Sequence, residues 1–127
     1  MHASHEDLPI LFGDKNAGLR GIDWGGQRVA ILSLPAGLDV VPLFQGLPND
    51  MCPAPHWGYI IKGRIRIKYV DAPDEILQAG DVFYLPPGHV PIVEEDLDFF
   101  EVSPLAEADM VLEALSRNAA AAGDVGS

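Results

Sequence analysis

The sequence predicts an all-β domain, a sandwich or barrel of short strands, followed by one amphipathic helix. Short apolar runs recur at regular spacing between residues 29 and 102, each bounded by Gly, Pro, Asp or Asn. Residues 59–70 alternate clearly, with Ile65, Ile67 and Tyr69 on one side and Arg64, Arg66 and Lys68 on the other. Beyond Ser103 and Pro104 the period changes, and Ala108, Val111, Leu112 and Leu115 share a face at helical spacing.

Taken in order, residues 8–12 form a weak strand candidate. Residues 29–34 read as a buried strand between Gly25-Gly26 and Pro35-Ala36-Gly37. Residues 38–55 hold Pro42, Pro48, Pro53 and Pro55, each of which removes a ladder donor. The same segment holds Val40, Val41, Leu43, Phe44, Leu47 and Met51, so it is expected to cover a pocket or a partner subunit. Gly63 divides the 59–70 alternation into two strands at a turn or bulge. Asp71-Ala72-Pro73-Asp74 is a turn, residues 75–78 a strand, and Ala79-Gly80-Asp81 a second turn. Strands at 82–85, 90–93 and 97–102 complete the series, with Glu94-Glu95-Asp96 as a hairpin tip. Ser103 reads as an N-cap with Pro104 at the first helical position. The helix, about 104–118, is expected to pack on the outside of the barrel and to give way to a frayed tail at 119–127. No internal repeat is visible, so residues 1–127 are expected to be one domain with a core at about 27–104.

The totals narrow the function classes. With 127 residues and 48% hydrophobic side chains, the chain can bury a core without staples. One cysteine, Cys52, excludes an internal disulfide and fits a reducing compartment. No basic segment followed by an apolar run opens the chain, and no stretch has bilayer-crossing length, so a soluble cytoplasmic protein is expected. A net charge of −11, from 19 acidic and 8 basic side chains, disfavours nucleic acid and anionic membranes as partners. The basic residues Lys62, Arg64, Arg66 and Lys68 are expected to pair with acidic neighbours across the sheet.

Two segments carry chemistry. Gly80-Asp81-Val82-Phe83-Tyr84-Leu85-Pro86-Pro87-Gly88-His89 runs from a turn through a strand to an imidazole, and His56-Trp57-Gly58-Tyr59-Ile60-Ile61-Lys62-Gly63 starts at one. Two strands that bring imidazoles to one end of a small barrel point to a chemically active pocket. Across residues 50–104 the chain resembles the cupin superfamily, jelly-roll barrels of the double-stranded β-helix type. Gly80, Pro86 and Gly88 match the family's second motif, with Asp81 beside the first glycine, and Gly63 matches the glycine that closes the first. The sixteen residues between Gly63 and Gly80 suit the family's compact inter-motif hairpin.

The family's metal-ligand positions carry other residues. His56 stands at the glutamate position, Asp50 and Cys52 at the His-x-His pair, and Pro91 at the second motif's histidine. His89, two residues earlier, has the same strand parity as Pro91 and is expected on the same face, about 6.5 Å away. His56, Gly58 and Ile60 share a face that in the family looks into the barrel. Cys52, His56 and His89 are therefore candidate ligands for a divalent ion, zinc or iron, with Asp50 near the same mouth. Glu101 is a candidate second carboxylate or orienting group, and equally a surface cross-strand partner. Ile60 and Tyr84 are candidate pocket walls, while Trp57 reads as packing, and His2 and His5 lie in an acidic terminus. The resulting expectation is a small-molecule-binding barrel for an apolar, acid-bearing ligand, with a metal-dependent oxygenase, isomerase or lyase as the alternative. The resemblance also implies a homodimer, to which the basic strand and acidic remainder offer complementary surfaces.

Overall fold

Two antiparallel sheets share one core. The computed structural model describes residues 1–126. Its strands are β1 (Ile10–Gly13), β2 (Gly18–Trp24), β3 (Gln27–Leu34), β4 (His56–Lys62), β5 (Arg64–Tyr69), β6 (Glu75–Gln78), β7 (Val82–Leu85), β8 (His89–Val93) and β9 (Leu97–Pro104), followed by the helix α1 (Leu105–Gly126). The larger sheet has the order β1-β2-β3-β9-β4-β7 and the smaller β6-β5-β8. Ile60, Leu85, Leu97 and Phe99 from the large sheet pack on Ile65, Ile67, Leu77 and Val93 from the small one. This is the expected all-β architecture with a C-terminal helix.

The alternation in β5 fixes that core. Ile65 and Ile67 are buried. On the opposite face Arg64 pairs with Glu94 and Glu95, Arg66 with Glu94 and Asp74, and Lys68 with Asp74. Arg64, Arg66 and Lys68 are thus neutralised within the chain, as the charge pattern implied, whereas Lys62 at the end of β4 makes no ion pair among the described residues. Gly63 separates β4 from β5 at φ +90°, and a Cβ there would strike the Asp96 carbonyl oxygen at 2.1 Å. Gly88 has φ +89° and turns the chain into β8.

Three features depart from the sequence reading. β2 has no counterpart among the expected strands, because Gly18, Gly21 and Asp23 interrupt its apolar residues. Gly18 is required by close packing: a Cβ would lie 2.4 Å from the Phe12 carbonyl oxygen. Ser103 does not cap a helix. It and Pro104 end β9, and the helix starts at Leu105. The helix also runs to Gly126 rather than ending near 118, since the Ala-rich stretch that follows Asn118 is a good helix former. Of the expected tail, Ser127 lies outside the described residues.

The proline-rich segment is a cover. Val40, Phe44, Leu47, Cys52 and Ala54 form a second apolar cluster with Val90 of β8 and Ala114 of α1. Asn118 donates to the carbonyl oxygens of Leu43 and Gln45, at 2.7 and 2.8 Å, and ties the helix to that cover. No helix among the described residues is long and apolar enough to cross a membrane.

Candidate functional site

The register of three strands sets out the cavity wall in rows. β3 pairs with β9 so that Arg28 faces Ser103, Ala30 faces Glu101 and Leu32 faces Phe99. β9 pairs with β4 so that Glu101 faces Gly58 and Phe99 faces Ile60. One step along the same register, His56 stands beside Ser103. Alternation turns all of these residues to the inner face. The first row, Arg28–Ser103–His56, is polar. The second carries Glu101 between Ala30 and Gly58, and the third, Leu32–Phe99–Ile60, is apolar. A cavity of about 140 Å³ lies against this wall, polar at one end and lined elsewhere by Ile65, Ile67, Leu77, Leu85 and Phe83. Leu38, Val40, Leu43 and Phe44 of the cover also line it, as do Ala108, Val111, Leu112 and Leu115 of α1. The helix was expected on the outside of the barrel; its apolar face instead completes the cavity.

Three ligand-bearing side chains meet at the polar end. Cys52 reaches it through an isolated antiparallel bridge to His89, with Cys52 N donating to His89 O at 2.7 Å. That pairing survives Pro53 and Pro55 because it lies ahead of them. Cys52 Sγ is 3.4 Å from His56 Nε2. The imidazoles of His56 and His89 lie edge to face with centroids 5.0 Å apart. One ligand atom from each of Cys52, His56 and His89 falls within 4.8 Å of the others, and all three residues are buried.

The outer ring nitrogens are held. His89 Nδ1 lies 2.7 Å from the Pro86 carbonyl oxygen, which only accepts, so Nδ1 carries the proton and Nε2 keeps its lone pair. His56 Nδ1 is 2.5 Å from Ser103 Oγ and 3.6 Å from Glu101 Oε2. The Ser103 hydroxyl can accept from Nδ1–H, and in that tautomer Nε2 of His56 turns its lone pair to Cys52. Imidazoles with Nδ1 anchored and Nε2 free are prepared for metal ligation. A tetrahedral zinc bound to one sulfur at about 2.3 Å and one nitrogen at about 2.0 Å separates them by about 3.5 Å, which the 3.4 Å contact matches. The donor set therefore fits zinc, and iron(II) after it, with one coordination position left over.

Burial sets the protonation states. It pushes both imidazoles down to about 4, His89 also through its proximity to His56. It pushes the Cys52 thiol up to about 12 and the Glu101 carboxyl up to about 8. At neutral pH without metal the cluster is uncharged.

The sequence-derived candidates divide clearly. His56, His89 and Cys52 converge, Ile60 lines the cavity, and Glu101 is a buried inner-face group rather than a surface cross-strand partner. Tyr84 does not line it. Its position in β7 is opposite in parity to Leu85, so its ring lies outside, 50% exposed and 5.3 Å from Trp57. Asp50 is a turn residue, exposed at φ +55° and accepting from Gly46 N at 2.9 Å. His2 and His5 are exposed and apart from the site. Arg28 and Ser103 were missed, although each has the parity of its strand's inward residues, Ala30 and Leu32 in one case and Phe99 and Glu101 in the other.

No family model matches the chain, and no curated protein matches it. Solved structures do. An RmlC-like cupin from Shewanella frigidimarina aligns with a TM-score of 0.56 and 14% identity over 80% of this chain and 88% of its own. A variant of Bacillus subtilis oxalate decarboxylase aligns at 0.56 and 18%, over 80% of this chain and 28% of its own. Iron(II) HppE aligns at 0.57 and 12%, over 81% of this chain and 59% of its own. The likeness is one of fold: the chain has the jelly-roll barrel architecture of these cupin structures.

A pH dependence follows from these protonation states. In chelator, the unfolded chain binds protons at His56 and His89 from pH 6.5 down to about 4, where the folded chain does not. Glu101 acts oppositely, holding its proton in the folded chain up to about pH 8 and losing it in the unfolded chain above 4.5. Two groups outweigh one below pH 6.5, so the cluster's contribution to stability rises to about pH 6.5 and falls from there to about pH 8. Urea titrations across this range should show that maximum, and Glu101→Gln should flatten the upper decline.

Proposed function

We propose that this cupin-fold barrel binds a small apolar molecule in a cavity whose polar end is a divalent-metal site formed by Cys52, His56 and His89. The observation that carries the reading is the convergence of three donor atoms within 4.8 Å at the head of an apolar cavity. The anchored Nδ1 atoms and the 3.4 Å sulfur–nitrogen separation support it. One thiolate and two imidazoles favour zinc, then iron(II), over magnesium. A lone cysteine serving as a ligand fits a reducing, cytoplasmic setting.

Glu101 favours a second reading, a metal-dependent enzyme of oxygenase, isomerase or lyase type. Its carboxyl is buried, 3.6 Å from His56, and protonated near neutral pH. A group in that state can give or take a proton during a reaction, while a metal held by Cys52, His56 and His89 would supply Lewis-acid chemistry.

The reading includes a homodimer. Trp57, Tyr59, Ile61, Val82 and Tyr84 are exposed on the outer face of β4 and the edge strand β7. A second copy covering this apolar face replaces the charge-based association expected from the basic strand, whose residues already pair internally.

Elemental analysis of untagged protein purified without chelator should find one zinc or iron per chain. His56→Ala, His89→Ala and Cys52→Ser should each lose it with unchanged circular dichroism; metal retained in both histidine variants would overturn the site. Affinity should rise at least about tenfold per pH unit between pH 6 and 8, because Cys52 must release its proton while the imidazoles hold none. Light scattering should give twice the chain mass at low and high salt, and Trp57→Glu should reduce it to a monomer. A wild-type monomer would contradict the dimer.

A further inference from the structure

Arg28 lies in the cavity wall, and its hydrogen bonding is incomplete. Its side chain is 10% exposed. Nε donates to Asp23 Oδ1 at 2.9 Å, and Nη2 donates to Asp23 Oδ2 at 3.2 Å and to Asp109 Oδ1 at 2.7 Å. These bonds join Arg28 to its cross-strand partner in β2 and tie α1 to the large sheet, and they account for Nε and Nη2. Nη1 has no partner, and it is the one buried side-chain nitrogen or oxygen without one among the described residues. A guanidinium brings two N–H groups to that nitrogen, and native structures leave few such donors unpaired. A purely structural role for Arg28 leaves Nη1 unexplained.

We propose that Arg28 Nη1 is the donor that anchors the cavity's ligand, and that the ligand offers it an uncharged acceptor, the carbonyl oxygen of a ring-sized apolar molecule. This rests on the small-molecule reading above and adds the chemical class. Size comes from the cavity, whose roughly 140 Å³ is close to the ~150 Å³ of an engineered cavity that binds benzene. The charge comes from the arginine's own partners. Asp23 and Asp109 already outnumber the single guanidinium, so a ligand carboxylate would bring a third negative charge to one positive charge. A carbonyl satisfies the donor without that repulsion. The acid-bearing ligand expected from the sequence therefore gives way to a neutral one.

The test uses the full chain dialysed against chelator and three probes of similar shape: α-methylstyrene, acetophenone and benzoate. By calorimetric titration, acetophenone should bind about tenfold or more tighter than α-methylstyrene, and benzoate more weakly than acetophenone. Arg28→Met, with its fold checked by circular dichroism, should erase the ketone's advantage, read as the ratio of ketone to hydrocarbon affinity within that variant. Asp109→Asn, at a half-exposed position, keeps the donor and removes one negative charge, so it should raise benzoate affinity. Equal binding of ketone and hydrocarbon, or benzoate as the tightest probe of the wild-type protein, would overturn the anchor while leaving the cavity reading in place. Binding of none of the three would overturn the cavity reading itself.

Discussion

The constraint on which the rest depends is the burial of polar groups inside an apolar barrel. Two imidazoles, a thiol, a carboxyl, a hydroxyl and a guanidinium lie behind the large sheet. Each loses water there and must find a partner or remain costly. His56 finds Ser103 and Cys52, His89 finds the Pro86 carbonyl oxygen, and Arg28 finds two aspartates. What remains after this pairing is the Nε2 lone pair of His89, one guanidinium nitrogen, and a Cys52–His56 contact whose sulfur and nitrogen both carry metal-binding lone pairs. On the proposed reading, a ligand or ion binds at these groups.

Their placement depends on backbone register more than on any local motif. Antiparallel pairing of β3, β9 and β4 puts Arg28, Ser103 and His56 in one row, so a slip of one residue in β9 would turn Glu101 and Ser103 to solvent. The turn at Gly88 delivers His89 beside Cys52, and the bridge between those residues joins the cover to the small sheet. The cover and α1 then close the cavity. The helix is thus part of the site's enclosure, latched by Arg28 to Asp109 at one end and by Asn118 to Leu43 and Gln45 further along.

Much of this was legible in the residues. The alternation of Ile65, Ile67 and Tyr69 located the core face, the glycines at 63, 80 and 88 located the turns, and strand parity placed His89 and His56 on inner faces. The apolar content of residues 38–55 foretold a cover. Other features were hidden for physical reasons. β2 carries glycines where a strand signal needs side chains, and at Gly18 the Phe12 carbonyl oxygen leaves no room for one. Ser103 followed by Pro104 has the form of a helix cap, yet tertiary pairing with β3 carries the strand through both. Tyr84 looked like a pocket residue because parity in a four-residue strand is ambiguous until its partner is known. Arg28 drew no notice because its partners come from β2, a strand the sequence concealed, and from a helix 81 residues away.

Cobalt(II) titration followed by visible absorption tests the central assignment most directly, because it reports ligand type and geometry together. One equivalent of cobalt should produce intense four-coordinate d–d bands and a thiolate-to-cobalt charge-transfer band, with the latter lost in Cys52→Ser. A weak, octahedral spectrum that is indifferent to that substitution would contradict a metal site built from Cys52, His56 and His89.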